Sequence, residues 1–269
     1  MISPRKRSAI QAGMFGTSAF RIGGERISDV SYPANPMETA ARQKISVLTP
    51  ERLLGPLNEV ERKYAPPKLF TAGSMEVPLP RPRVAIVGSR EASAKALDAT
   101  TRIAGVLSRR GVVIVSGLAR GIDTTAHRTA IEEGGRTVAV LGTPLDRTYP
   151  QDNSQLQKEI MTKHLAISQF PIGYPIQPRN FVLRNRTMAL VSNASIIVEA
   201  GERSGSLHQG WEALRLGRPL FIWKPAVNDP SLSWPKRMVR YGAMELTDPK
   251  KIVDVLPSSK RISEIVLRV

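Results

Sequence analysis

Glycine, serine and arginine residues recur directly after apolar segments of this sequence. Three such groups are Gly88-Ser89-Arg90, the stretch from Gly117 to Gly121, and Ser204-Gly205-Ser206. A glycine lets a phosphate approach the backbone, a serine adds a hydroxyl donor, and an arginine adds a charged fork that matches phosphate geometry. Together the three groups predict an anion-binding site, whereas each group taken alone is equally explained by a tight turn.

The apolar segments before these groups predict the elements that position them. From Arg83 onward, short runs of Val, Ile and Leu alternate with stretches of helical periodicity, which is typical of parallel strands covered on both faces. The predicted strands are 84–87, 112–115, 137–141, 165–168, 195–198 and 219–223. The sequence therefore predicts an α/β fold with a Rossmann-like, doubly wound, mostly parallel sheet. Ligands of such a sheet bind beyond the carboxyl ends of its strands.

The two ends of the chain carry a weaker pattern. Residues 1–44 mix Gly, Ser, Pro and Arg with little periodicity and are interpreted as a short, partly flexible N-terminal extension. Thr49 as N-cap and Pro50 at the first helical position predict a helix that continues to about Tyr64. The predicted division is an extension at 1–64, a Rossmann-like domain at 65–247, and a C-terminal helix and tail at 248–269.

The chain is strongly basic. Its 269 residues include 39 Lys and Arg against 23 Asp and Glu, which gives a formal net charge of +16. This charge favours a polyanionic partner such as a nucleic acid, although a basic protein without such a partner has the same composition. Six arginines follow predicted strand ends and would place much of the charge at the ligand-binding edge: Arg90, Arg120, Arg179, Arg184, Arg186 and Arg203.

Several classes of protein are disfavoured by what the sequence lacks. It contains no cysteine, which excludes disulfide scaffolds, thiol catalysis and cysteine-ligated metals. It has no G-x-G-x-x-G after the first strand and no G-x-x-x-x-G-K-[ST], so the usual dinucleotide and P-loop sites are not expected. No apolar run reaches the length of a membrane span and no secretory signal is visible, so we expect a cytoplasmic protein without a membrane partner.

Titratable side chains near the strand ends are interpreted as structural. Asp146 and Glu199 have positions suited to acid–base chemistry, but each could equally hold an arginine or cap a turn, which we favour. Asp123 is expected to cap the helix after the second strand. The three histidines show no metal-ligand spacing, and His127 is interpreted as a packing or polar-network residue.

Aromatic side chains offer candidates for stacking on a base. Phe181 lies among arginines, which suits a base platform; a buried core phenylalanine is the equal alternative. Further candidates are Phe170, Tyr174 and Trp211.

These motifs resemble, in order, those of the DprA/Smf family. The resemblance covers roughly residues 60–245, and its most specific element is the G-I-D-x-x-A-H turn that begins at Gly121. The other matching motifs are Val84-Ala85-Ile86-Val87-Gly88-Ser89-Arg90, Ser116-Gly117-Leu118-Ala119-Arg120, Val140-Leu141-Gly142 with Leu145-Asp146 and Tyr149-Pro150, Arg184-Asn185-Arg186, Glu199-Ala200, and Ser204-Gly205-Ser206-Leu207.

The resemblance implies an extended Rossmann fold that binds single-stranded DNA. A member of this family protects incoming DNA during natural transformation, the uptake of DNA by competent cells. It helps to load RecA for recombination, forms homodimers, and needs no cofactor and no catalytic step. The DNA- and phosphate-binding residues that the resemblance implies are Gly88, Ser89, Arg90, Gly117, Arg120, Phe181, Arg184, Asn185, Arg186, Ser204, Gly205 and Ser206.

The chain departs from the family pattern at several positions. Gln169 stands where the family often has an acid, and Val182 stands where it has proline. His208-Gln209-Gly210-Trp211 replaces a segment that tends to Thr and Ala, and the usual glycine pattern is lost between Lys224 and Met238.

Two other functions are weighed against DNA binding. The first is a nucleotide-hydrolysing enzyme related to the lysine-decarboxylase-like phosphoribohydrolases. Those enzymes carry P-G-G-x-G-T, whereas this chain has Glu202-Arg203-Ser204-Gly205-Ser206 at the equivalent turn. The second is a sensor of small nucleotides, because one phosphate site suits both ligands.

Overall fold

Nine strands form a single sheet in the computed structural model, which describes residues 44–256. The predictions made for residues 1–43 and for the tail after residue 256 lie outside the described residues. The strands are β1 (Ser46–Leu48), β2 (Leu69–Gly73), β3 (Arg83–Val87), β4 (Val113–Ser116), β5 (Thr137–Leu141), β6 (Leu165–Ser168), β7 (Ala194–Ile197), β8 (Leu220–Trp223) and β9 (Met244–Leu246).

The strand order is β1-β2-β6-β5-β4-β3-β7-β8-β9. The pairs β1–β2 and β2–β6 are antiparallel, and the other six pairs are parallel. From β3 the chain builds outward through β4, β5 and β6, and then returns to β7 on the other side of β3. The sheet therefore has its topological switch point between β3 and β7, where open parallel sheets bind ligands.

Helices cover both faces of the sheet. They are α1 (Pro50–Leu54), α2 (Glu59–Tyr64), α3 (Ala94–Arg109), α4 (Ile122–Glu132), α5 (Ser154–Lys163), α6 (Pro178–Val191), α7 (Ser206–Arg215), α8 (Lys224–Val227), α9 (Trp234–Arg240) and α10 (Lys250–Val255). Core residues of α1, α6, α7 and α9 pack on one face, and those of α3, α4, α5 and α10 pack on the other. The predicted α/β, doubly wound, mostly parallel fold is confirmed. Within residues 44–256, no helix is long and apolar enough to cross a bilayer.

The apolar runs form strands because both sides of each strand are buried. In β3, Ala85 and Val87 belong to the core under α6 and α7, whereas Val84 and Ile86 belong to the core under α3 and α4. Successive side chains of a strand point to opposite faces, so a central strand needs an apolar residue at nearly every position.

The helix predicted from Pro50 to about Tyr64 is two helices. Thr49 caps α1 as predicted, with its hydroxyl accepting from the backbone of Arg52. The helix ends at Gly55, which has a φ of +89° and precedes a proline that disfavours helical backbone before it. Residue 58 then starts α2 with a capping box. Leu53 and Leu54 of α1 pack in the same core as the sheet, although they lie in the predicted N-terminal extension.

His127 is a buried member of a polar network, as predicted. It lies on α4 with no exposed surface, and its Nδ1 is 2.7 Å from the hydroxyl oxygen of Thr137. That hydroxyl donates its proton to the carbonyl oxygen of Ile114, so Nδ1 carries the hydrogen of the neutral ring and donates it to Thr137. Burial lowers the pKa of His127 to about 3, so the folded protein keeps this ring neutral.

This buried imidazole should make stability depend on acid. The unfolded-state pKa is about 6.5. The neutral ring's contribution to the stability of the folded protein is therefore complete above about pH 6.5 and decreases as the pH falls towards 3. Between pH 7 and pH 5 the free energy of unfolding should fall by about 2 kcal/mol, and this part of the loss should be absent in His127→Gln. Urea unfolding of both proteins at the two pH values measures the difference; equal losses would contradict the prediction.

Candidate nucleic-acid interface

A groove with a volume of about 520 Å³ opens at the switch point of the sheet. The loop after β3 forms one wall, the loop before α7 forms the other, and the first turns of α6 cross its floor. A smaller pocket of about 120 Å³ shares Arg90, Phe181 and Arg184 with it. The groove or the pocket is lined by Gly88, Ser89, Arg90, Gly117, Arg120, Phe181, Arg184, Asn185, Ser204, Gly205 and Ser206.

Arg184 lies at the floor of both cavities and is only 5% exposed. Its Nη1 donates hydrogen bonds to the carbonyl oxygens of Gly117 and Val140, the second at 3.1 Å. Burial lowers the pKa of this guanidinium to about 10, and the nearby carboxylate of Asp123 opposes that shift. The side chain therefore stays charged at neutral pH, and the backbone of two strand ends holds it in place.

Asp123 shapes the turn between β4 and α4. The sequence predicts a helix cap, but the N-cap position is Gly121, and Asp123 lies inside the helix. Its Oδ2 accepts hydrogen bonds from the amides of Gly117 at 3.1 Å and Ala119 at 3.3 Å. Burial raises the pKa of Asp123, whereas the charges of Arg184 and Arg90 and the hydrogen bonds from the Ala119 amide and the Ser116 side chain lower it. The capping prediction is thus corrected, because the carboxylate folds back on the preceding turn.

Phe181 forms an aromatic surface beside a cation. The guanidinium carbon of Arg90 lies 6.0 Å from the centre of the Phe181 ring, and the ring of Tyr149 lies 5.4 Å from it at 59°. Gly142 makes room for this arrangement, since a Cβ there would lie 2.6 Å from Phe181 Cδ1. Phe181 is half-buried and lines both cavities, so its position favours the platform over the core alternative.

Arg90 lies on the wall of the groove that the loop after β3 forms. Burial lowers its pKa, and the neighbouring Tyr149 and Asp123 oppose the shift. A partly desolvated guanidinium against a ring favours an anion that approaches from the groove more strongly than a fully hydrated cation would.

The turn before α7 lines the groove, and the first amides of the helix are engaged within the turn: those of Ser206 and Leu207 donate to the hydroxyl and carbonyl oxygens of Ser204. Gly205 is exposed at the N-cap and makes no side-chain cap. The hydroxyls of Ser204 and Ser206 are hydrogen-bonded to each other at 2.7 Å. Asn185 Nδ2 donates to the carbonyl oxygen of Gly205 at 3.0 Å, so α6 holds the turn in position.

The start of α3, which follows the loop after β3, is closed by side chains. Ser93 is the N-cap, and the carboxylate of Glu199 accepts from its amide at 2.9 Å and from its hydroxyl at 2.6 Å. Glu199 therefore caps a turn, as predicted. Ser89 and Arg90 reach the groove from the loop before this helix.

Some predicted residues lie elsewhere. Arg186 lines neither cavity and pairs with Glu212 at 3.2 Å. Arg120 lines the smaller pocket and pairs with Asp152 at 2.8 Å. The Asp146 side chain is fully buried, with the nearest described cation, that of Arg147, at 3.9 Å.

The other aromatic candidates also lie outside the groove. Phe170 is buried and packs on Tyr174 with ring centres 5.2 Å apart, and Trp211 lies further along α7. The sequence contains Tyr149 within the Tyr149-Pro150 motif, but the motif does not show its ring contact with Phe181. Residues 44–256 contain no group of three acidic or histidine side chains that could hold a metal ion.

The contact between Gly117 and Arg184 can be tested by adding one methyl group. A Cβ at Gly117 would overlap the Arg184 guanidinium, displacing it from two buried carbonyl groups and from Asp123. We expect Gly117→Ala to lower the free energy of unfolding by about 3 kcal/mol. Gly201→Ala, whose Cβ would contact nothing within 4 Å, should change it by less than about 0.5 kcal/mol. Urea titration measures both, and equal effects would refute the proposed contact.

Known proteins share this sequence over most of its length. A family model described as DNA recombination-mediator protein A matches residues 44–257. The DNA processing protein DprA of Bacillus subtilis is 33% identical over 195 residues, which are 72% of this chain and 66% of that protein. DprA of Streptococcus pneumoniae is 36% identical over 189 residues, with coverages of 70% and 66%. Protein Smf of Escherichia coli is 35% identical over 192 residues, with coverages of 71% and 51%.

Solved structures share the fold. DprA from Streptococcus pneumoniae superposes with a TM-score of 0.68 and 31% identity, covering 82% of this chain and 77% of its own. DNA processing protein A from Helicobacter pylori, solved in work on its single-stranded DNA binding mode, gives a TM-score of 0.66 at 24% identity. The coverages for that protein are 80% of this chain and 96% of its own, and this likeness concerns the fold.

The matching region includes the whole described sheet and every residue of the groove. The chain spans between half and about two thirds of the length of the curated relatives named above. The resemblance drawn from the motifs is confirmed: this chain belongs to the DNA recombination-mediator protein A family, whose curated relatives are named DprA or Smf.

Proposed function

We propose that this protein binds single-stranded DNA in the groove at the switch point of the sheet. The observation that carries the proposal is the ring of Phe181, held above Gly142 with Arg90 beside it. An unpaired base can stack on the ring while the guanidinium holds an adjacent phosphate. A duplex keeps its bases stacked on each other, so the platform favours a single strand.

The backbone around the platform suits phosphate oxygens. The turn at Ser204, Gly205 and Ser206 brings two hydroxyls to the groove, beside the positive end of the dipole of a ten-residue helix. Arg203 is exposed on the same rim and lines the groove. The ligand class agrees with the one described for the Helicobacter pylori neighbour in fold.

The proposed function includes no catalytic step. Two carboxylates beside the described groove are engaged in the fold, since Asp123 accepts from backbone amides and Glu199 from Ser93; Glu91 lines both cavities as an exposed carboxylate. Asp146 is buried away from both cavities. A groove that binds DNA without cleaving it suits a protein that protects DNA and assists RecA during recombination in DNA uptake. In this proposal the protein works as a homodimer in the cytoplasm.

The phosphate contact of Arg90 and the base contact of Phe181 should differ in how they change the salt dependence of DNA binding. Arg90→Ala should weaken the binding of a short oligothymidylate about tenfold and make the slope of log affinity against log salt shallower by about 0.7. Phe181→Ala should weaken binding by at least about fivefold and leave that slope unchanged, because stacking releases no counterion. Fluorescence anisotropy across a salt series measures both effects.

The matched control is Arg110→Ala. Arg110 is an exposed arginine at the end of α3, beside the amino end of β4 and thus at the opposite edge of the sheet. The Arg110→Ala substitution removes the same charge as Arg90→Ala and should leave the affinity for the oligothymidylate nearly unchanged. Equal losses in Arg90→Ala and Arg110→Ala would mean that net charge alone binds DNA. Tight binding of AMP, or its hydrolysis, would instead support the nucleotide alternatives.

A further inference from the structure

A second surface of aromatic and basic side chains begins at the rim of the groove. His208, Trp211 and Arg215 are three, four and seven residues apart on α7, so they share one face of the helix. Arg237 and Tyr241, at the end of α9, lie beside them. These five residues are called the α7 track.

The α7 track alternates rings and cations at short distances. The ring of Tyr241 contacts Trp211 edge-on, with centres 5.4 Å apart at 81°. The guanidinium carbon of Arg237 lies 5.9 Å from the centre of the Trp211 ring. Tyr241 is 72% exposed, the highest exposure among the large hydrophobic side chains of the described residues. An aromatic face left in water beside a cation is the arrangement that proteins use to stack unpaired bases.

The charge beside the α7 track is positive. Glu212 is placed between two arginines, accepting from Arg186 at 3.2 Å and from Arg215 Nε at 2.7 Å. One carboxylate thus faces two guanidinium groups, and an excess positive charge remains. The family resemblance assigns Arg186 to DNA, yet Arg186 lines neither cavity and lies on this face instead.

The α7 track is continuous with the groove. His208 lines the groove and belongs to α7. With a rise of about 1.5 Å per residue, Trp211 lies about 4.5 Å further along the helix axis and Arg215 about 10 Å further. A DNA strand that leaves the groove over the first turn of α7 would therefore pass Trp211 before it enters bulk solvent.

We propose that single-stranded DNA leaving the groove continues along the α7 track, with a base stacked on Tyr241 or Trp211. This inference rests on the proposed DNA-binding function and extends it to a longer binding site. Four of the five residues of the α7 track lie in or beside segments that depart from the family pattern: His208 and Trp211 in 208–211, Arg237 in 224–238, and Tyr241 close after it. The extension is therefore assigned to this chain's own residues.

Oligonucleotide length separates the α7 track from the groove. An oligothymidylate of about 5 nucleotides fills the groove alone, and one of about 16 nucleotides reaches beyond it, within the range of known single-strand sites. Tyr241→Ala should weaken the long ligand by at least about fivefold and leave the short ligand unchanged. Arg237→Gln should weaken the long ligand in the same way. Phe181→Ala should weaken both ligands.

Tyr241→Ala is the primary variant because the side chain is mostly exposed and folding should not depend on it. Trp211→Phe keeps a ring in the half-buried site and provides a second readout. In the parent protein the long ligand should quench tryptophan fluorescence, and this quenching should be largely lost in Trp211→Phe. Val47→Ala, which removes an exposed apolar side chain of β1 at the far edge of the sheet, is the control and should bind both ligands as the parent does.

The outcomes distinguish the two proposals. If Phe181→Ala weakens both ligands and Tyr241→Ala weakens neither, the α7 track is refuted and the groove remains supported. If no variant changes either affinity, the groove assignment fails as well. If Tyr241→Ala leaves long-ligand affinity intact but changes the mass measured by light scattering, the surface binds a second copy of this chain, which overturns the proposal.

Discussion

The groove depends on a guanidinium that is buried beneath it. A buried charge is tolerated only where its partners replace water, and Arg184 finds them in two carbonyl groups and the nearby carboxylate of Asp123. Those partners belong to the ends of β4 and β5 and to α4. One side chain of α6 thus fixes the β4–α4 turn relative to the end of β5, and the groove has its shape before a ligand arrives.

The Phe181 ring and the turn at Gly205 are held by the same helix, α6. Phe181 and Asn185 are one helical turn apart on α6; the first presents its ring to the groove, and the second holds the carbonyl oxygen of Gly205. Because α6 is anchored by Arg184 between them, the ring and the turn cannot move independently. In the proposed complex, a base on the ring and a phosphate at the turn would lie at a fixed separation.

Much of this arrangement could be predicted from the sequence, and the rest depends on contacts that local patterns do not contain. Continuous runs such as 84–87 identify central parallel strands, and those strands bring distant turns to one edge. A capping role was predicted for Glu199, but the sequence could not show that it caps the start of α3, because Ser93 and Glu199 are 106 residues apart. The Arg184-Asn185-Arg186 motif also could not show that Arg184 is buried under the groove and that Arg186 lies outside it. The difference depends on which side of α6 faces the sheet.

The position of β7 in the sheet has a consequence for how the protein can diversify. The groove is built from elements on either side of the switch point, whereas β8, α9 and β9 are added outward from β7. Substitutions on the exposed side of α9, such as those at Arg237 or Arg240, therefore meet solvent and leave the packing beneath the groove unchanged. The outer edge of the sheet can therefore accept changes in surface chemistry that leave the contacts shaping the groove intact.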